Sequence, residues 1–130
     1  EGAPARKAVG AVLDHWENRK AKKPFLFGMG TDFLKLKFPM IWYNLLHVMS
    51  VLSAYPHTAA DPRYREMLEH LRSALDGEGR ATPQSIYMAY KPQEWSDKKK
   101  PSRLLTCLVH RIIAASAPLI FIEGGGDSPA

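Results

Sequence analysis

The hydrophobic pattern is densest between Lys35 and Ser53. Read as a helix from about Pro39 to Ala54 and set at about 100° per residue, Ile41, Trp42, Leu45, Leu46, Val48, Met49 and Leu52 point in nearly every direction. Only Tyr43, His47 and Ser50, at i, i+4 and i+7, make a polar stripe. A helix apolar nearly all round is enclosed by other helices. Its stripe must then face a partner, since buried polar groups need hydrogen bonds. An earlier segment, Pro4 to about Lys20, is a plainer amphipathic helix with Val9, Val12, Leu13 and Trp16 on one face. Arg19, Lys20, Lys22 and Lys23 complement its C-terminal dipole, and Pro24 stops it.

Residues 24–38 read as a loop anchored by Phe25, Phe27, Phe33 and Leu34. Its Gly28-Met29-Gly30 lacks the rest of a phosphate loop. Asp61-Pro62 signals a new helix, as N-cap and first-turn proline. Tyr64, Met67, Leu68, Leu71 and Leu75 form its apolar stripe, charged residues fill the opposite side, and Gly77 is read as its C-cap glycine. Residues 77–100 are mostly irregular. Pro101 opens the last helix, predicted to run to Ser116, apolar at Leu104, Leu105, Leu108, Val109 and Ile112 and polar at Arg103, Thr106, Cys107 and His110. Ala117-Pro118 is read as its end. The pattern thus predicts an all-α fold of paired helices: a flexible start at 1–3, a helical domain at 4–117, and a tail at 118–130, apolar and extended at Leu119–Ile122, then Gly-rich and loose.

Composition narrows the partners. At 130 residues this is one domain or part of one. The net charge of +5 favours anionic partners as a class. No cluster reaches the basic, aromatic-interleaved density of a nucleic-acid platform, so nucleic acid is the least favoured partner. The single cysteine, Cys107, excludes an intrachain disulfide and points to a reducing, cytoplasmic setting. No apolar run approaches the roughly 20 residues of a membrane span.

Pro39 and Pro101 occupy equivalent settings, each after a basic stretch (Lys35, Lys37; Lys98 to Lys100) and before an apolar helix with a narrow polar stripe. An amphipathic outer helix and a glycine-marked loop lie between them, the order of stacked helical hairpins. Phe38-Pro39, Trp42-Tyr43, Leu45-Leu46, the run from Asp76-Gly77 through Gly79-Arg80 and Thr82-Pro83 to Ser85, and Lys98 to Ser102 resemble the C-terminal repeats of squalene-cyclase-like and prenyltransferase-like α/α-toroid proteins, including uncharacterised bacterial and archaeal members. The resemblance covers about residues 10 to 116 and implies inner and outer helices of a partial toroid. The cyclases' Asp-x-Asp-Asp acid motif and the Gln-x-x-x-Gly-x-Trp signature are absent from the chain, and Cys107-x-x-His110 does not match the zinc set of the prenyltransferases. A complete toroid also needs about twice as many helices. The chain is therefore expected to be a fragment, a partial toroid completed by a partner or a second copy, or a degenerate helical domain.

If both apolar helices line one concave space, Tyr43, His47 and Ser50 would face Arg103, Thr106, Cys107 and His110 across it. A mostly apolar pocket with a few converging polar groups is the default ligand site, here for a hydrophobic or anionic small molecule. The alternative is that these groups satisfy one another or meet solvent. Lys98, Lys99 and Lys100 stand at a helix N-terminus, where backbone N–H groups also favour anions; the plainer alternative is a solvated lysine run. One cysteine and two histidines fall short of a zinc set, and no carboxylate is evident to orient a Cys107–His110 pair. No catalytic residue, metal or cofactor is therefore assigned. The reading is a non-catalytic binding domain, with a fragment of an isoprenoid-processing enzyme as the alternative.

Overall fold

The computed structural model describes residues 2–21 and 27–125, the side chains of 118–125 excepted. The expected stop at Pro24, the anchor Phe25 and the last five residues lie outside the described residues. The first helix, α1 (Ala3–Glu17), carries its proline in the first turn and buries Val9, Leu13 and Trp16, as its pattern predicts. Trp16 fixes it against the third helix. Its indole N–H donates to Glu66 Oε1 at 3.1 Å, and the Arg19 guanidinium lies 3.9 Å from the ring centroid.

The central helix is shorter than predicted. α2 spans only Leu45–Leu52, and Asn44 caps it by accepting the His47 N–H at 2.9 Å. Asn44 is a better cap than interior helical residue because its side chain competes for backbone donors. The preceding chain turns, with Ile41 N donating to Pro39 O at 2.9 Å and a cis bond at Phe38-Pro39. Ile41 and Trp42 therefore leave the helix wheel and stand on the surface, 58% and 63% exposed. The residues that remain behave as expected: Leu45, Leu46, Val48, Met49 and Leu52 are all buried.

A 3-10 turn at Pro56–Ala60 leads into α3 (Pro62–Ser73). Asp61 caps α3 by accepting the Arg63 N–H at 2.8 Å and holds the Arg63 side chain at 2.9 Å. Tyr64, Met67, Leu68 and Leu71 are its buried face. The helix ends at Ala74, and Gly77 is not its cap. The left-handed glycine is Gly79, at φ 76°, in a turn where Asp76 Oδ1 accepts the N–H groups of Glu78 and Arg80. Isolated bridges join Leu75 to Ala81 and Ala81 to Ser102, so this loop lies against the start of the last helix. Short 3-10 turns at Met88–Tyr90 and Glu94–Ser96 interrupt an otherwise irregular stretch. No strand occurs among the described residues.

The last helix overturns the expected tail. α4 runs from Arg103 to Gly125, through Ala117-Pro118 and the segment read as extended. Ala114, Ala115 and Ala117 are strong helix formers, and they flank Pro118, whose missing N–H and ring crowding against the carbonyl four residues earlier disfavour a helix interior. Leu105, Val109 and Ile112 join α1, α2 and α3 in one core. Across that core the Tyr64 hydroxyl meets Ser116 Oγ at 2.6 Å. Among the described residues no helix is long and apolar enough to cross a membrane.

Candidate functional site

The seven residues expected to line one space are distributed over three places. Tyr43 precedes α2 rather than belonging to it. Its hydroxyl bonds His15 Nδ1 at 2.9 Å, and its ring packs on His15, Phe33 and Phe27 at centroid distances of 5.4 to 5.8 Å. Burial pushes the Tyr43 hydroxyl up to about 12, because the phenolate would lose its hydration there. With His47, Val48, Val51, Leu52 and Val12 of α1, Tyr43 lines an apolar recess of about 210 Å³. The His47 Nδ1 lies 3.3 Å from the Trp42 carbonyl, so part of its polarity is met locally.

Ser50 belongs to a different cleft. It faces α4 across about 370 Å³, with Ser53, Met40 and Ala54 on one side and Leu108, Arg111, Ile112 and Ala115 on the other. The Ser50 hydroxyl donates to Leu46 O at 2.8 Å and the Ser53 hydroxyl to Ser50 O at 3.1 Å, which leaves both oxygens able to accept. Arg111 is the one charged residue in the lining. Ser50 is the only one of the seven that reaches this cleft between α2 and α4.

The other four lie along the first turns of α4. Arg103 and Cys107 line an open hollow with Arg80, Lys100 and Thr106. Cys107 is exposed. His110 turns away to the glycine loop, its Nε2 2.6 Å from Gly79 O. The Thr106 hydroxyl accepts the Ala81 N–H at 2.9 Å.

The lysine run is exposed, and the anion position beside it is already filled. Glu94 reaches back so that its carboxylate accepts both the Arg103 N–H and the Ser102 hydroxyl, the latter at 3.0 Å. Ser102 Oγ in turn accepts the Leu105 N–H at 3.1 Å, so two free donors of the first turn are satisfied internally. Nearby acids balance the cations: Asp97 lies 3.9 Å from Lys100, and Arg80 pairs with Asp76 at 3.1 Å and Glu78 at 3.5 Å. The Arg80 N–H, bonded to Asp76, holds that carboxyl below the usual carboxylate range.

Two residues of these clefts escaped the sequence reading. His15, 28 positions from Tyr43, carries no local signal of the contact. Arg111 could have been found, since it stands at i+4 from Cys107 on the side that α2 approaches. No group of three His, Cys, Asp or Glu side chains able to hold a metal occurs among the described residues. The chain matches no family model, no curated protein and no solved structure.

Proposed function

We propose that this protein is a helical binding domain that holds a small amphipathic acid in the cleft between α2 and α4. The observation that carries the reading is the lining: an apolar floor of Met40, Leu108 and Ile112, two hydroxyls, and Arg111 as the single charge. At about 370 Å³ the cleft falls within the range of small-ligand sites, ~300–1,000 Å³. A ligand with an alkyl body and a carboxylate or phosphate head matches both halves, with the guanidinium taking the head in a forked hydrogen bond. The toroid resemblance supports the same reading, because it pairs as inner helices the two that flank this cleft. An isoprenoid diphosphate has the same two halves, which is where the alternative, part of an isoprenoid-processing enzyme, meets this geometry.

Titration with decanoate, decanol and a prenyl diphosphate, followed by amide chemical shifts, tests the reading. Saturable binding is expected for the anionic ligands, with shifts at Ser50, Ser53 and Ala115. Arg111→Gln should weaken decanoate by about tenfold, as for a lost hydrogen bond to a charged group, while leaving decanol unchanged. Ala115→Trp, on an exposed lining position, should block both. Absence of saturable binding, or equal affinity in both variants, overturns the proposal. Preference for the diphosphate over decanoate selects the isoprenoid alternative.

A further inference from the structure

Trp42 is the largest side chain that folding leaves in solvent, and it stands beside a second cavity, of about 270 Å³, distinct from the α2–α4 cleft. Trp16, by contrast, is 1% exposed. The cavity has aromatic walls from three parts of the chain: Phe33, Trp42 with Tyr43, and Tyr87. Its shape is fixed by a clamp between loops far apart in sequence. Leu36 N donates to Gln84 Oε1 at 2.9 Å, and Gln84 N and Ser85 N donate back to Leu36 O at 2.9 and 3.2 Å. That clamp holds Tyr87 beneath Lys37, whose Nζ lies 3.8 Å from the ring centroid. No acid pairs with Lys37 among the described residues, whereas Asp32 at the rim already meets Lys35 Nζ at 3.1 Å.

The polar groups are few and placed. Asn44 is 4% exposed and lines the cavity. Its Oδ1 is committed to the α2 cap, which leaves the Nδ2 as the donor end of the amide. Ser85 adds a hydroxyl. Planar aromatic walls suit a flat ring, the Asn44 amide suits a carbonyl or ring-nitrogen acceptor on its edge, and an ammonium without an acid partner suits an anion. A nucleobase carrying a phosphate presents these three features together. We propose that this cavity binds a nucleoside phosphate, the base stacked beside Trp42 with its edge toward Asn44 and the phosphate toward Lys37. The chain's +5 charge works in the same direction. The site is independent of the α2–α4 cleft and shares no lining residue with it.

The same chemistry arrives either as a free nucleotide or as one unit of a single strand. Isothermal titration with adenosine and uridine monophosphates, the corresponding nucleosides, ribose 5-phosphate and short homopolymer RNA separates these. The monophosphates are expected to bind more tightly than the nucleosides or ribose 5-phosphate. Trp42→Ala, at an exposed position outside the core, should weaken them by about tenfold or more, the scale of one lost base–aromatic stack. Lys37→Gln should narrow the gap between nucleotide and nucleoside. An oligonucleotide that binds more tightly than the monomer, with the same sensitivity to Trp42→Ala, assigns the site to a strand. Equal affinity for ribose 5-phosphate and the nucleotides, no binding of any nucleotide, or variants that bind as the parent does overturn the proposal. Because Arg111→Gln leaves this cavity intact, nucleotide binding is expected to survive it.

Discussion

Single side chains in the first turn of α3 show how local chemistry sets the helices. Asp61 accepts hydrogen bonds from the Arg63 backbone and side chain, and the latter chiefly pulls its carboxyl below the ordinary value near 3.8. The folded value being the lower one, this contribution is complete above the unfolded value and is lost as pH falls through the folded one. Asp61→Ala should therefore cost about 1 kcal/mol at neutral pH, the usual worth of such a cap. The gap to the parent should close below about pH 4. Asp61→Asn, which can still cap, should retain most of the stability with less pH dependence. Urea melts at neutral and acidic pH give both comparisons. Tyr64, three residues on, is tied to Ser116, and burial raises its hydroxyl above the usual phenol range. The Asp61 cap was readable from sequence because its partner is two residues away, whereas Tyr64 and Ser116 are 52 apart and their contact was not.

Among the elements, the amphipathic helices were the most legible. α1 and α3 bury the stripes their periodicity marks, because one wet face leaves little choice of orientation. α2 and α4 were harder for the opposite reason. An all-round apolar sequence says that a segment is enclosed but not where it begins or ends: Asn44 delays the start of α2, and α4 continues through Pro118. The loop between α3 and α4 was legible as irregular, yet its left-handed residue is Gly79 rather than Gly77. A Cβ at Gly79 would lie 3.4 Å from His110 Nε2 and, more importantly, would have to adopt φ 76°. Gly79→Ala should thus destabilise the protein by about 1–2 kcal/mol, and Gly77→Ala by much less. A thermal melt of the pair distinguishes them, and equal losses would refute the assignment of the strained position.

For the molecule as a whole, all four helices contribute to one continuous set of buried side chains. Leu46, Met49, Tyr64, Leu71, Leu105 and Val109 are inaccessible within it. Leu46→Ala should lower stability by about 2–5 kcal/mol. The loss should appear at the same denaturant concentration by circular dichroism and by tryptophan fluorescence, as one cooperative unit requires. Separate transitions would show that the helices near Trp16 and those near Trp95 unfold independently. The candidate site was less legible than this core. The sequence indicated that α2 and α4 face one another, but the seven polar positions chosen from helical spacing diverged, since Tyr43 lies outside its helix and the α4 N-terminus is occupied from elsewhere. The clefts instead depend on Arg111, which stands between two helices, and on Trp42 and Lys37, whose surroundings are built by loops.

The Glu94 carboxylate at the head of α4 has one further consequence. A group tethered nine residues from its donors is present at an effective concentration in the millimolar range for a short flexible connection, and the 3-10 turn at Glu94–Ser96 restricts it further. A free phosphate or sulfate must outcompete that built-in occupant before the helix dipole can help it. The basic end of this protein is thus blind to dilute anions, and its lysines are left to act as a diffuse charge.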